Sequence, residues 1–588
     1  MSARGSWARG ARALGADDAA PAATSPTLAE TLAAKHLVFA VSCSLKPLGG
    51  GDDVHFYWSD RFFISRATDT PANHQFGQWI DEAGDEMRLS IDPTATADNS
   101  LSGKIVLLDP DGSIEASIRA CDYTKRPIEI SVGRSAGLKW ASRQDDPYAW
   151  FHRLNTCVID SISGDDGRLT ISIRDRAYLL DVALQVNRYA GTGTYEGPAS
   201  LFGEPKPLTG GMIYYDEPRL VDAVYLIYQV VDFDVTGTND FFVYDNGVQL
   251  TRDGLSTNLY GDVIAAGHYR VDVARGMIRL GATPAGRILV YGTGMHRYVV
   301  RSPEVVARPY VTHPDVARAA IERRLPTFPI NAASFDALAD ELLLPAFPVW
   351  SGYNRCIARV EPGETVRAYI NRLMQGCGAR GYMHPVTGEL NVRRLKRPIA
   401  ADVVIELDQW NILDLKRLDL PDALWPPPYQ IEFLQNQILG WPTNSNIANG
   451  TSNALRSRLQ KENVRRVETN PYVIGRYANA QAWEGFQTWS DSGTDPLAGD
   501  SATSIFIRYL IELHGGTYAD GWFPRQLLHV SLGAQGLALE PDSTVLITWP
   551  KYGLDTGKLF VAMPVDRSFV SRSAPPRVEL LCWGGFAP

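Results

Sequence analysis

Residues 189–211 read YAGTGTYEGPASLFGEPKPLTGG and contain six glycines and three prolines. Glycine loses much conformational entropy in a regular element and proline lacks a backbone N–H, so this composition predicts neither a helix nor a central strand. A loop of this length inside a folded chain is usually functional or joins two domains. Because Pro205-Lys206-Pro207 is stiff and serine is nearly absent, we predict a shaped connection and not a flexible linker.

The region before this loop, residues 35–180, has the pattern of a β domain. Its last strand pattern alternates Leu169, Ile171 and Ile173 with polar residues, which predicts one buried face. Short strands separated by turn residues are typical of a sandwich or barrel. The strand patterns lie at residues 37–45, 55–64, 105–108, 113–120, 158–162 and 169–173, with a turn at 109–112.

A second series of strand patterns follows the loop, within residues 214–298. Asn246-Gly247 is a strong signal for a two-residue hairpin turn. We therefore predict a second β unit, with strands at residues 241–244, 248–250, 267–273, 277–280 and 288–291.

Three helices are predicted next, at residues 313–324, 333–344 and 364–376. The third has the clearest pattern, because its apolar residues recur every three or four positions and glycines follow it. These apolar residues are Val366, Ile370, Leu373 and Met374. A hairpin at 381–384 and 389–394 comes directly after, so the pattern predicts an α+β unit.

The C-terminal region returns to strand patterns. They lie at residues 403–407, 429–433, 527–532, 537–539, 545–549, 559–564 and 578–583. Between them we predict a Pro-rich extended spacer at 425–428, a loop at 442–450 and a strongly charged helix at 453–467.

Composition limits the function. A chain of 588 residues exceeds one hydrophobic core, so about three to five domains are expected. The net charge of −9 argues against a dedicated nucleic-acid binder, which normally has a basic face. No apolar run approaches the roughly 18 residues of a membrane span. The six cysteines show no C-x-x-C spacing, so we expect free buried thiols.

The first 34 residues are rich in alanine and lack the apolar core of a secretory signal. Such a segment is expected to be disordered in isolation. If such a segment is ordered in the assembled protein, something else must hold it in place. We therefore expect an arm that packs on a neighbouring subunit.

No residue pattern predicts catalysis or metal binding. Gly191, Gly193 and Gly197 have the wrong spacing for a dinucleotide loop, and residues 109–111 fall short of a calcium loop. The histidines include no H-E-x-x-H pair; we expect His296 and His313 at the surface or in loops, and His384 and His529 within strands. The basic clusters at 393–397 and 456–466 are expected to be solvated faces or patches that meet acidic partner surfaces.

Several motifs, in order along the chain, resemble one protein family. They are LFGEPKPL at residues 201–208 in the Gly-rich loop, WSDRFFISRATDTP at 58–71, RLGATPAGR at 279–287, PKYGLDTGKLF at 550–560 and WG at 583–584. Together with the helix–hairpin unit they resemble the tail hub (tail tip, or baseplate central) proteins of long-tailed bacteriophages and gene-transfer agents. The resemblance covers most of residues 36–586.

The resemblance implies a mainly β, multidomain chain with an α+β module, whose β-barrel or sandwich domains form a trimeric ring. The expected segments are an N-terminal arm (1–35), a first ring barrel (36–188), an inserted β domain with the Gly- and Pro-rich entry loop (189–300), an α+β domain (301–400) and a second ring barrel with a charged helical insertion (401–588).

It also implies a structural virion protein without catalytic, cofactor or metal sites. Such a hub is a homotrimer that joins the sixfold tail tube and the distal tail protein to threefold tip, fibre or receptor-binding proteins. Its lumen holds the end of the tape-measure protein and contacts DNA only transiently, and it meets the host envelope indirectly. The expected location is the distal end of the virion tail, after assembly in the host bacterial cytoplasm.

Two other functions stay open. The 14 tryptophans fit a receptor-binding or glycan-binding tail protein of the fibre type. A cell-wall hydrolase is the third, because some tail hubs carry wall-degrading domains.

Overall fold

The structure is a computed structural model that describes residues 25–87, 100–135, 146–235, 241–296, 312–342, 356–420, 429–434, 463–468, 486–487, 525–571 and 574–588. In the three shortest of these ranges only the backbone is described. The predicted spacer at 425–428 and loop at 442–450 lie outside the described residues. No helix in the described ranges is long and apolar enough to cross a membrane.

The first part of the chain, here called the N-terminal lobe, has ten strands and two short helices among its described residues. They are α1 Leu28–Leu32, β1 Leu37–Pro47, β2 Val54–Ser59, β3 Phe63–Ile64, β4 Gln75–Gln78, β5 Ile80–Met87, β6 Leu101–Leu108, α2 Ser113–Arg119, β7 Cys121–Asp122, β8 Pro127–Arg134, β9 His152–Asp165 and β10 Arg168–Arg174. The predicted hairpin is confirmed as β9–β10, with Ile171 opposite Ile162. The alternating residues of β10 are buried as expected, since Leu169 and Ile171 are fully enclosed.

Helix α2 replaces the strand that was predicted at 113–120. The Asp109 carboxylate accepts hydrogen bonds from the backbone N–H groups of Ile114 (3.0 Å) and Glu115 (2.8 Å). These N–H groups lie in the first turn of the helix and have no acceptor within it. Gly112 precedes the helix in a left-handed conformation, φ 72°. The strand prediction was wrong because it used the spacing of apolar residues, and that spacing does not show that the Asp109 side chain caps a helix.

The end of the N-terminal segment packs on its own chain. Helix α1 begins with a capping box, in which Glu30 N–H donates to Thr27 Oγ1 (3.2 Å) and Thr27 N–H donates to Glu30 Oε2 (2.7 Å). Leu32 is buried in the core of the N-terminal lobe. Residues 25–35 therefore pack on their own chain, and the rest of that segment lies outside the described residues; the arm on a neighbouring subunit stays a prediction.

The middle of the chain contains nine strands and then the α+β unit. The elements are β11 Thr209–Asp216, β12 Arg219–Asp222, β13 Ile227–Gln229, β14 Phe242–Asp245, β15 Val248–Gln249, β16 Thr251–Leu255, β17 His268–Asp272, β18 Met277–Leu280, β19 Ile288–Thr293, α3 His313–Arg324, α4 Ala332–Leu342, β20 Ile357–Arg359, α5 Val366–Gly376, β21 Ala379–Met383 and β22 Leu390–Arg394. Two five-stranded sheets result, in the orders β15-β14-β19-β11-β20 and β12-β13-β18-β17-β16.

Helix α5 follows directly from its sequence. Thr365 caps it by accepting a hydrogen bond from Ala368 N–H at 3.2 Å, and its four periodic apolar residues are all buried. The hairpin β21–β22 is confirmed as well. The α+β unit predicted from this stretch is therefore present.

The last residues of the Gly- and Pro-rich stretch are in a central strand, contrary to the prediction. Strand β11 begins at Thr209 and lies between β19 and β20. A Cβ atom on Gly211, which has φ 77°, would lie 2.0 Å from the Cys356 carbonyl oxygen, and one on Gly210 would lie 2.0 Å from Tyr369 Oη. Glycine is thus required here for close approach between neighbouring segments, and not for a loop.

The last part of the chain forms the C-terminal lobe and a small separate sheet. Its strands are β23 Val403–Leu407, β24 Ile412–Leu418, β25 Tyr429–Leu434, β26 Asn463–Glu468, β27 Phe486–Gln487, β28 Gln526–Leu532, β29 Ser543–Trp549, β30 Leu554–Ser571 and β31 Arg577–Phe586. The charged helix predicted at 453–467 is wrong from residue 463 onward, where β26 pairs with β25. The predicted strand at 537–539 is instead part of a short 3-10 turn, Ala534–Ala538, whose Gly536 packs closely against Val578.

Strand β30 joins the two lobes. One of its edges pairs with β31, while the other pairs first with β29 and then, from Asp566 to Ser571, with β5 of the N-terminal lobe. A 16-stranded sheet results. Thirteen of its strands follow the path β24-β28-β31-β30-β5-β6-β10-β9-β8-β1-β2-β4-β3. The other three are attached beside this path: β29 pairs with β30, β23 pairs with β29, and β7 pairs with β1. The mainly β, multidomain fold is confirmed, and among the described strands this path is open and does not close into a barrel.

Two large hydrophobic cores lie in the described chain. One is shared by both lobes and extends from Leu32 to Phe586. The other is shared by the middle sheets and helices α3–α5. All six cysteines are free and buried, as predicted, and burial raises the pKa of the Cys43 and Cys377 thiols to about 12. The boundaries between the five segments drawn from the sequence stay a prediction.

A buried ion pair lies where β30 meets β5. Arg567 stands directly opposite Asp85, and its Nε and Nη2 donate to the two carboxylate oxygens at 2.8 and 2.7 Å. Both side chains are almost fully enclosed, and Asn155 Nδ2 also donates to Asp85. Burial raises the pKa of Asp85, and the guanidinium and the amide oppose that rise.

Removing Arg567 should destabilise the junction of the lobes. We expect Arg567→Met to lower the free energy of unfolding by about 3–5 kcal/mol, because the Asp85 carboxylate would stay buried without its partner. Chemical denaturation followed by tryptophan fluorescence measures this change, and adding Asp85→Leu should restore much of the loss.

The matched control is Lys104→Met, which breaks the exposed Lys104–Glu82 pair between β6 and β5. It should cost less than about 1 kcal/mol. Equal losses for the two single variants would show that the buried pair has no special role.

Candidate functional site

The Gly- and Pro-rich segment folds as a defined loop around one buried tyrosine. Tyr189 packs with Leu201 and Val221, and its backbone exchanges hydrogen bonds with Gly203 and Glu204 at 3.0 and 2.9 Å. Two short 3-10 turns, Thr194–Glu196 and Ala199–Leu201, shape the segment between these anchors. The predicted shaped connection is therefore confirmed up to Leu208.

Ion pairs close the loop on itself and on its neighbours. Lys206 Nζ lies 2.7 Å from Glu196 Oε1, and Arg219 Nη2 lies 2.5 Å from Glu204 Oε2. Burial acts to raise the pKa of Glu196, but the hydrogen bonds from Lys206 and the Ala190 N–H, together with the charge of Lys206, outweigh it and lower that pKa. Arg188 Nη1 donates to the Gly203 carbonyl at 2.6 Å. The loop is thus held by side chains as well as by its turns.

A polar cleft of about 340 Å³ lies under this loop, and we call it the loop cleft. It is built where the loop meets β13, the β17–β18 turn and the end of α3. Its lining includes Asn187, Tyr195, Glu196, Lys206, Gln229, Asp232, Arg275 and Arg323.

Asp232 is the most strongly bonded group of the loop cleft. Its Oδ2 accepts hydrogen bonds from Gln185 Nε2 (3.0 Å), Asn187 Nδ2 (2.8 Å) and Arg323 Nη2 (2.8 Å). Three hydrogen bonds to one oxygen fix the position of the carboxylate. The group therefore positions the loop against α3.

The structure confirms one of the histidine predictions, since His529 lies within a strand, but two other histidines are more buried than the sequence indicated. His296 and His313 were expected at the surface or in loops, but they are 8% and 1% exposed. Burial lowers the pKa of His296, whose Nδ1 bonds the Gly294 carbonyl. His384 follows β21 and contacts Glu540, while His529 lies in β28, 3.6 Å from Glu579. Within the described ranges, no three His, Cys, Asp or Glu residues are grouped to hold a metal ion.

One catalytic pattern was missed in the sequence. Gly133-Arg134-Ser135-Ala136-Gly137 has Gly-x-Ser-x-Gly spacing. That motif acts at a strand-to-helix turn of an α/β-hydrolase sheet. Here Ser135 follows β8, which is antiparallel to both β1 and β9, and Arg134 binds Asp146 through two hydrogen bonds. The described surroundings are thus those of the end of an internal strand in an antiparallel sheet.

The hairpin β21–β22 contacts both lobes. At its tip, the Pro385 and Val386 carbonyls each accept a hydrogen bond from Thr156 of β9 at 2.7 Å. On its flank, His384 Nε2 lies 3.1 Å from Glu540 Oε1 of the C-terminal lobe. The amide N–H groups of the turn donate to His384 Nδ1, so Nε2 has the proton that bonds Glu540.

The basic cluster at 393–397 is used within the chain. Arg394 is buried, Lys396 pairs with Glu341, and Arg397 stacks over the ring of Phe586 at 5.3 Å. Arg393, Lys396 and Arg397 are exposed, so the expected solvated face is present in part, and Arg394 is the buried exception. The second cluster, 456–466, lies mostly outside the described residues.

Comparison with known proteins gives distant structural neighbours. No family model matches the chain, and no curated protein matches it. The structure is similar to a tail protein of Neisseria meningitidis MC58 (11% identity, 93% of this chain and 96% of that chain, TM-score 0.37). It is also similar to the 43 kDa tail protein of prophage MuSo2 from Shewanella oneidensis (10% identity, 92% and 98%, TM-score 0.33).

A third neighbour is the E. coli c3393 protein, a component of the type VI secretion system that is itself similar to T4 bacteriophage tail proteins gp27 and gp5. It shares 10% identity over 87% of this chain and 76% of that chain, with a TM-score of 0.27.

Acidification should loosen the hairpin from the C-terminal lobe. The hydrogen bond from His384 lowers the pKa of Glu540 below its ordinary value of 4.5. This contact therefore stabilises the fold above pH 4.5, and the contribution is lost as the pH falls through the lowered pKa. We expect Glu540→Gln to lower the thermal midpoint slightly near neutral pH and to make no difference in strong acid.

The comparison is made by differential scanning fluorimetry over a pH series. Glu406→Gln, which removes an exposed carboxylate in the same lobe, is the control. A constant offset between Glu540→Gln and the unmodified chain at every pH would contradict the expected linkage.

Proposed function

We propose that this chain is a structural virion protein, the central hub at the distal end of a phage tail, and that it acts as a homotrimer. The observation that supports this most is the joining of two β lobes from opposite ends of the chain by β30. Three copies of a chain with two β lobes supply six lobes around a threefold axis. Such an assembly can match a sixfold tail tube on one face and threefold tip proteins on the other.

A hub needs its two lobes held rigidly, because they face a rigid tube. The continuous sheet, the shared core and the buried Asp85–Arg567 pair all favour that rigidity. We assign the ring modules to residues 36–188 and 401–588. The inserted β domain (189–300) and the α+β domain (301–400) then lie outside the ring contacts, with the hairpin β21–β22 fastening the α+β domain to both lobes.

The proposed partners follow from this position. One face of the ring meets the distal tail protein, and the other face holds tip, fibre or receptor-binding proteins. The lumen holds the end of the tape-measure protein before ejection and then passes DNA. A net charge of −9 suits transient contact, because acidic surfaces repel phosphates. The mechanism is conformational opening, without bond-making chemistry.

We expect the purified full-length chain to form trimers, alone or with the distal tail protein of the same phage. Sedimentation velocity and mass photometry give the stoichiometry. Electron micrographs of the particles should show a ring with six lobes and threefold symmetry, and antibody labelling should place the chain at the far end of the tail.

A chain that stays monomeric at micromolar concentration with that partner present, or that labels elsewhere in the virion, would refute the proposal. Hydrolysis of purified cell wall by the monomer would favour the enzyme alternative instead.

A further inference from the structure

The loop cleft has no role in the proposed hub, although its chemistry is specific. It is assembled from four separate parts of the chain, and charged groups of both signs line it. The cationic and anionic groups are equal in number: Lys206, Arg275 and Arg323 against Glu196, Asp232 and Asp234. A lining of this kind has no net attraction for phosphate or for a polyamine, and it favours a neutral polar ligand.

The charged groups are held by their own neighbours. Lys206 binds Glu196 at 2.7 Å, Arg323 binds Asp232 at 2.8 Å, and Arg275 binds Asp272, next to the cleft, at 2.5 Å. Their geometry is therefore fixed before a ligand arrives. Fixed polar groups that still have unused donor and acceptor capacity suit hydroxyl groups, which both donate and accept.

Gln229 provides the second observation. It lines the cleft, is 2% exposed, and its Nε2 donates to the carbonyls of Arg275 (3.0 Å) and Val231 (3.3 Å). Because both partners are carbonyl oxygens, the amide nitrogen must face them and the orientation of Oε1 follows. Oε1 is buried and accepts no hydrogen bond in the structure. A buried acceptor without a donor costs about 1–3 kcal/mol, so this wall of the cleft keeps one unsatisfied polar atom.

Two half-buried aromatic rings also line the cleft. The Arg275 guanidinium stacks over Tyr195 at 4.6 Å, and Arg323 lies 5.9 Å from the centre of the Phe233 ring. Leu259 N–H donates to Tyr195 Oη at 3.0 Å, which fixes that ring. The cleft thus combines apolar ring surface with amide, carboxylate and guanidinium groups.

We infer that the loop cleft binds a neutral, hydroxyl-rich ligand, namely one or two units of a sugar. Its volume of about 340 Å³ lies at the lower end of the range for small-molecule sites, so a longer glycan would extend outside it. The ligand is either a free sugar or one unit of a cell-surface polysaccharide. This inference does not depend on the hub proposal, because it concerns a cleft within one chain.

The test uses the purified full-length chain and ligand-observed saturation-transfer NMR. The probes are glucose, galactose and N-acetylglucosamine, each as the monosaccharide and as a tetrasaccharide. Methyl phosphate, whose methyl protons can be observed, is the charged comparison. We expect saturation transfer to at least one sugar and none to methyl phosphate. Tighter binding of the tetrasaccharide would assign a polysaccharide as the source and equal binding a free sugar, and both results support the inference.

The blocking variant is Ala274→Trp, because Ala274 is exposed, lines the cleft and leaves the hydrogen bonds described above intact. It should weaken sugar binding by about tenfold or more. Ala274→Arg fills the same space with a different shape and serves as a second variant. Ala282→Trp, at an exposed turn outside the cleft, is the matched control and should bind normally.

Three results would overturn the inference. They are no saturation transfer to any sugar, binding that both Ala274 variants leave unchanged, and equal loss in Ala282→Trp and Ala274→Trp. Thermal midpoints of all variants show whether a loss of binding comes from unfolding, and a variant with a lowered midpoint is replaced by the other Ala274 substitution.

Discussion

The pairing of Asp85 with Arg567 is the contact on which the joined sheet depends. These residues are direct cross-strand partners, so their ion pair reports the register of β30 against β5. A slip by one residue would turn the guanidinium to the other face of the sheet and leave a buried carboxylate alone. A buried carboxylate without a partner costs more free energy than the ion pair contributes in the correct register. The main effect of the ion pair is therefore to exclude the wrong alignment of the two strands.

The same arrangement explains where the middle of the chain can lie. The hairpin β21–β22 contacts β9 of the N-terminal lobe at its tip and Glu540 of the C-terminal lobe on its flank. It therefore bridges the two lobes, whose relative position is set by the pairing of β30 with β5. Helix α5 and the two smaller sheets share a separate core behind that hairpin. The loop cleft forms on this second body, far along the chain from the residues that join the lobes. Binding at the cleft and assembly through the lobes are therefore separable properties.

Local patterns predicted local structure well, and contacts between distant residues account for the errors. The alternation in β10 and the apolar spacing in α5 are visible within a dozen residues, and both elements are present. Helix α2 was missed because the Asp109 cap supplies what the apolar pattern lacks. Gly210 and Gly211 read as loop because nothing nearby shows that Cys356 and Tyr369 approach them. The loop cleft needs residues from 187 to 323 together, so no motif could have predicted it.

Strand β30 also has a consequence for synthesis of the protein. Its partner β5 emerges from the ribosome almost the whole length of the chain earlier, since Asp85 and Arg567 are 482 residues apart. Until the last segment is made, β5 has one unpaired edge and the first core lacks part of its cover. A chain that terminates before Arg567 therefore lacks the partner of β5 and cannot complete its first lobe.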